Sequence, residues 1–447
     1  MKTSDSQGNE LNGATPQAGR LYDEALEGFN IYRGDPLALA DAALDAAPGF
    51  VMARVLKAHL LALATEPAAT AEAAAIVEGL RGMTLDARER SHVTALDLLV
   101  GGEWTRAAVQ LDHHNTCYPL DLLALQSGHL VDFFRANARN LRDRIARVLP
   151  RWSAPIPGHA IVLGMYAFGL EETGDLERAE EFGRRAVDLE PRGCWAHHAV
   201  AHVLEMQGRA GEGVQWMASR EPLWSGEDNY FQMHNWWHRA LFHLDLGQHD
   251  EVLALYDGVI RPKRGALAVE LVDASALLWR MHLSGMDVGD RWGEVAAAWV
   301  PHADGRGYPF NDWHAAMAWL GAGREVEVER LLAGLRATTG DTPETAVWGR
   351  RIGLPLIEGF SAFWRGDYRG AVEALHPARF IANAFGGSHA QRDIIDWTLT
   401  EAALGAGLDD LARALAHERL ALKPHSPVNL GLLRRTGGNG AGLVAAA

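Results

Sequence analysis

A glycine-centred break between two helix-length segments recurs through this chain and limits the fold more than any other feature. It falls at Gly174-Asp175, Gly208-Arg209, Gly247-Gln248, Gly285-Met286, Gly323-Arg324, Gly366-Asp367 and Gly407-Leu408, so successive glycines stand 34, 39, 38, 38, 43 and 41 residues apart. A helix C-terminus often needs a residue in the left-handed region, which glycine enters without steric cost. The shortest spacing is the tetratricopeptide period, and the longer ones fit elongated helical hairpins. An earlier hairpin is expected in FNIYRGDPLALADAALDAAPG, with Gly34 and Pro36 at its turn. A single hairpin cannot bury its apolar face, so the repeats must stack. The expected fold is all-α: a right-handed tetratricopeptide-like α-solenoid of roughly six to nine stacked helical hairpins with one concave surface.

Nearly every segment between the termini shows helical periodicity, and none alternates as a half-buried strand would. The polar start MKTSDSQGNELNGATPQ reads as a disordered lead over 1–18, and the glycine-rich 437–447 reads as a flexible tail. Residues 19–436 are then expected to form one repeat domain with a continuous core. The balance of 42 basic against 57 acidic residues gives −15. With no Lys/Arg run to grip phosphates, nucleic acid is not an expected partner. The two cysteines, Cys117 and Cys194, form neither a disulfide framework nor a metal-ligand spacing. No segment resembles a signal peptide or a membrane span, so a cytoplasmic location without membrane contact is expected.

Two segments each place histidines four residues apart: His198 and His202 in CWAHHAVAHVLEMQG, and His234 and His238 in MHNWWHRALFHLDLG. Positions i and i+4 share one helix face, so each segment aims two imidazoles in one direction. Both fall in first helices of adjacent hairpins, the helices that line the concave side. Asp273 in ELVDASALLWRMH occupies the same kind of helix, as do Asn311, Asp312 and His314 in FNDWHA, and His389, Arg392 and Asp393 in SHAQRD. Second helices such as GEVAAAW and REVEVERLLAGLRA read as ordinary amphipathic covers.

The stretches MYAFGLEETGD, WAHHAVAHVLEMQGR, HNWWHRALFHLDLG, FNDWHA and FGGSHAQRD are long and rich in rare residues. Through them the chain resembles the tetratricopeptide repeat protein 38 family over roughly residues 20–435. His198, His202, His234 and His238 match the family pattern, whereas His197 stands where the family is more often aliphatic. The resemblance implies the helical-repeat fold and carries no activity with it.

The candidate catalytic set is His198, His202, Glu205, His234, His238, Asp273, His389 and Asp393. An imidazole can take and give a proton near neutral pH when a carboxylate fixes its tautomer. Glu205 follows His202 by three positions and Asp393 follows His389 by four. The substrate-binding candidates are Asn235, Trp237, Asn311, His314 and Arg392, the last as a clamp for an anionic group. Four imidazoles at His198, His202, His234 and His238 could also hold a metal, though neither HExxH nor paired ExxH motifs are present. Two functions are open: an enzyme (hydrolase, lyase or isomerase) working by acid–base chemistry on a small organic ligand, or a non-catalytic protein-interaction scaffold. Homo-oligomerisation is open as well. Cys194 reads as a buried inert thiol, and no glycine-rich phosphate loop appears.

Overall fold

The protein was analysed as a computed structural model that describes residues 3–261 and 265–437. Among these residues the only β features are two isolated bridges, Ser4–Glu10 and Arg33–Asn229; the rest is helix, turn and loop. The all-α, tetratricopeptide-like architecture of stacked hairpins is therefore as expected. The chain divides into two compact units. Unit one comprises Met1–Val200, Pro222–Gln232 and Thr342–Glu344, and unit two comprises Ala201–Glu221, Met233–Asp341 and Thr345–Ala447.

The turns form for the reason the glycines suggest. All seven break glycines have positive φ, from 66° at Gly407 to 83° at Gly174. At the first of them, Asp175 N–H reaches back to Leu170 O (2.9 Å) and Gly174 N–H to Glu171 O (2.8 Å), the paired closure of a Schellman turn. The same pair of bonds closes a hairpin at Gly102 and at Ala136, where φ is 44° on a residue with a side chain. Counting glycines misses that last turn. Helix starts are equally explicit: Asp86 with Glu89, and Ser388 with Gln391, each form a complete capping box.

Inner and outer helices differ in burial as their sequences require. Pro309–Gly321 is buried from Pro309 through Leu320, whereas its hairpin partner Glu325–Ala337 buries only Val328, Leu331, Leu332 and Leu335. An element enclosed on all sides must place its polar residues inside the protein, and that positions the candidate site. Many of the tryptophans are core: Trp237, Trp279, Trp299 and Trp313 are all fully buried.

The lead also departs from expectation. From Thr3 onward it is ordered, with Leu11 only 3% exposed and Asp5 buried 3.5 Å from the Arg88 guanidinium. Composition marked this segment as disordered because most of its anchors are polar: besides Leu11 and Asp5, Asn12 Nδ2 donates to Asp86 Oδ2 at 2.7 Å and Gln7 Nε2 to Pro157 O at 3.0 Å. The expected tail lies outside the described residues beyond Gly437. No helix among the described residues is long and apolar enough to cross a membrane.

Two glycine substitutions test the turn argument by opposite signs. Gly366 has φ 78° and open space around its Cβ position, so only backbone strain resists a methyl group there. Gly334 lies within Glu325–Ala337 with equally open space. Gly366→Ala should cost about 1 kcal/mol, while Gly334→Ala should stabilise by up to about 1 kcal/mol. Urea unfolding of the two variants measures both.

Candidate functional site

The histidine pairs lie on the helices Cys194–Met206 and Gln232–Asp245. In unit two, His202, His234 and His238 converge. Ring centroids of His202 and His238 are 4.5 Å apart, and those of His234 and His238 are 4.8 Å apart. Each of the three offers a ring nitrogen within 4.8 Å of the others. His234 Nδ1 stands 2.7 Å from Asp273 Oδ2, so a carboxylate from Ala268–Leu283 orients that ring. His238 Nδ1 lies 3.4 Å from Glu205 Oε2. Burial holds His238 well below the usual histidine pKa; His202 adds to the effect and Glu205 opposes it. His198, one turn before His202, falls in unit one, where its ring stacks on Phe168 at 5.3 Å and meets Trp195 at 4.9 Å.

Beside these imidazoles runs a chain of buried charges. Lys423 Nζ donates to Glu205 Oε1 at 2.7 Å, joining positions 218 residues apart. Burial works against the Lys423 cation, but Glu205 and Asp393 outweigh it and hold its pKa above the ordinary lysine value. Glu205 is held well below its own usual range: burial would raise it, and Lys423 first, then His238, overcome that. Arg419 grips Asp393 through two bonds of 2.8 and 3.2 Å. Arg280, wholly buried, donates to Ala276 O at 3.1 Å and also to Ala390 O, and its guanidinium sits 5.3 Å from the Trp237 ring centre. Burial brings Arg280 down to about 10 although Asp393 and Glu205 support its charge.

Between these side chains lies a cavity of about 40 Å³ lined by Glu205, Asp245, Arg280, Asp393, Arg419 and Lys423, among others. One water needs about 10–15 Å³ on this measure, so the space suits two or three waters. A second cleft of about 110 Å³ is lined by Arg379, His389, Arg392, Asp393, Asp396, Leu422 and Lys423.

Several sequence-derived roles need correction. Asp393 does not orient His389; its carboxylate is taken by Arg419 from the following helix. Arg392 donates to Gly387 O and closes its own loop, which leaves it poorly placed as a substrate clamp. His314 is sealed among Phe310 and Trp313, with Nδ1–H donating to Phe310 O at 2.8 Å, and Asn311 is buried in the same helix. Trp237 is fully buried, stacked on His234 at 5.3 Å, and is therefore core. Asn235 is also fully enclosed, and neither of its amide atoms has a hydrogen-bond partner. His389 is half-buried in the larger cleft. Cys194 is inert as read, its pKa pushed to about 12 by burial. Sequence reasoning missed Lys423, Arg419 and Arg280, because their partners come from remote helices and no local spacing announces them.

No family model matches the chain. Solved structures similar to it include a chain of the APC/C hetero-tetramer Cut9–Hcn1, at 14% identity and a TM-score of 0.41, covering 94% of this chain and 76% of that one. Human IFIT1, as a dimer with m7Gppp-AAAA, is similar at 14% identity and 0.42, covering 96% and 95%. Yeast Tom70 is similar at 14% identity and 0.35, covering 94% and 86%. Similarities of that size say nothing about ligand or partner.

Two buried histidines set an acid limit on stability. Burial pushes His129 and His314 to about 3 from an ordinary 6.5. Both folded-state values are depressed, so the unfolded chain binds protons near pH 6.5 while the native chain does not until about pH 3. Their stabilisation is complete above pH 6.5 and is lost as pH falls toward 3. Each should contribute a slope of about 1.4 kcal/mol per pH unit in the acid limb. Urea unfolding between pH 7 and 4 should show the loss, and His314→Leu should flatten the slope by one such contribution.

Proposed function

We propose that this chain is a non-catalytic helical-repeat scaffold for a protein partner, and that its buried charges fix the stacking of its inner helices. The carrying observation is the mutual engagement of those charges in unit two. Glu205 meets Lys423 and Asp393 meets Arg419, around a cavity of about 40 Å³. Ligand pockets are typically about 300–1,000 Å³. The docking face in this reading is the larger cleft. Its Leu422 wall is 57% exposed, and its Arg379 and Ala382 flank Phe380 at 69% and Ile381 at 39%. Arg379, Arg392 and Lys423 line the same cleft. Arg379 is already paired with Asp396 and Glu418, and Lys423 with Glu205, so the exposed apolar rim is what a partner segment carrying an apolar residue would meet. Kinship with the tetratricopeptide repeat protein 38 family belongs to this proposal and rests on the sequence motifs.

One observation favours a second reading, catalysis. His234 is paired with Asp273 at 2.7 Å and its side chain keeps 14% exposure, the arrangement of an oriented general base.

Phe380→Asp and Leu422→Asp, both at exposed positions, separate the readings. A stoichiometric partner cross-linked to residues of the larger cleft should lose affinity about tenfold or more with either change and keep it in Asp273→Asn. Partner binding indifferent to both aspartates would contradict the scaffold face. Turnover of a small molecule abolished by Asp273→Asn would establish the catalytic reading instead.

A further inference from the structure

Unit one contains a convergence of side chains that the repeat pattern does not require. His92, from Ala87–Val100, and His114, from Trp104–Cys117, each place Nε2 3.0 Å from the same oxygen, Oδ2 of Asp121. Asp121 is the N-cap of Leu122–Phe134, and its other oxygen accepts from Ala124 N–H at 3.1 Å. The first of these helices also supplies Arg88, whose Nε lies 2.6 Å from Oδ2, and whose other nitrogens reach Glu10 O at 3.2 Å and Asp5 Oδ2 at 3.5 Å. His59, from Val51–Ala62, sets Nε2 3.1 Å from His92 Nδ1. His59, His92, His114 and Asp121 are all nine-tenths or more buried, and the His59 and His114 Nδ1 atoms have no hydrogen-bond partner.

Asp121 Oδ2 is thus approached by three nitrogens, while a carboxylate oxygen offers two lone pairs. We propose that His92, His114 and Asp121 form a site for a divalent transition metal of the zinc class, with His59 as the outer partner that orients His92. The ligand-capable atoms of the three residues already lie within 4.8 Å of one another. Two imidazoles and one carboxylate are a donor set for zinc, cobalt or nickel rather than for calcium or magnesium. Binding requires His92 and His114 to carry their protons on Nδ1 and turn the Nε2 lone pairs to the ion. For His92 that proton then faces His59 Nε2, as metal-bound histidines usually pair their second nitrogen. Asp121 Oδ2 keeps one lone pair for Arg88 and gives the other to the ion. The metal staples three consecutive helices, at the middle of Ala87–Val100, the last turn of Trp104–Cys117 and the N-cap of Leu122–Phe134, a role independent of any partner bound by unit two.

Co2+ is the probe, added to the full chain after chelator treatment. One equivalent should bind and develop visible d–d absorption, and Zn2+ should displace it. His114→Asn and Asp121→Asn, the latter keeping the helix cap, should each weaken Co2+ binding about 100-fold or more. His238→Asn, in unit two, should leave it unchanged. Absence of a bound equivalent, or loss of the signal in His238→Asn with retention in His114→Asn, would overturn the assignment. Should the unit-one variants fail to fold, an anomalous difference map of Co2+-soaked wild-type crystals decides the matter. A peak between His92 and Asp121 supports the site, and a peak only elsewhere, or none, rejects it.

Discussion

A charge carried on an enclosed helix has to be met by an opposite charge from another helix, and the interior of unit two is arranged around that requirement. Moving a carboxylate or ammonium out of water costs several kcal/mol, which attraction offsets only when geometry and further hydrogen bonds are good. Glu205, Asp393, Lys423, Arg419 and Arg280 satisfy this together, and their neighbours hold the charges of Glu205, Asp393 and Lys423 in place against burial. Removing one partner leaves another buried and uncompensated, so the set acts as a registration device for the helices that carry it. Three imidazoles, His202, His234 and His238, sit against this network.

The same rule explains why the residues that drew notice in the sequence differ from those that matter most in the structure. An i,i+4 histidine pair is visible because both members lie on one helix. The approach of His202 to the second pair was legible too, since adjacent hairpins were inferred from the glycine turns. Glu205 was recognised beside His202, which is near in sequence, but its strongest partner, Lys423, comes from a helix end more than two hundred residues later. Asp393 was assigned to His389 by spacing, and Arg419 has it instead. Local spacing reports which face a residue shares. It carries no information about what the opposite helix brings.

Fold class was legible because a turn is a local event. Positive φ at Gly174, Gly208, Gly247, Gly285, Gly323, Gly366 and Gly407 follows from the chemistry of one residue and its immediate hydrogen bonds. The turn at Ala136 shows the limit, since the same bonds form there without the residue that signals them. His92 and His114 were passed over for a related reason: each looks like a lone polar residue on an amphipathic helix, and only tertiary packing brings both to Asp121. The polar lead was misread because Leu11 and Asp5 anchor it through contacts that composition cannot register.

If the polar residues of the inner helices exist to satisfy one another, the Glu205–Lys423 pair must be strongly coupled in stability. A double-mutant cycle with Glu205→Gln, Lys423→Met and the double variant, followed by urea unfolding at pH 7, measures that coupling. Each single change should cost about 3 kcal/mol, and the double variant should cost far less than their sum, leaving a coupling of about 2 kcal/mol or more. Single variants within about 0.5 kcal/mol of the parent, adding without coupling, would mean that these charges are not serving the fold and are held for something outside it.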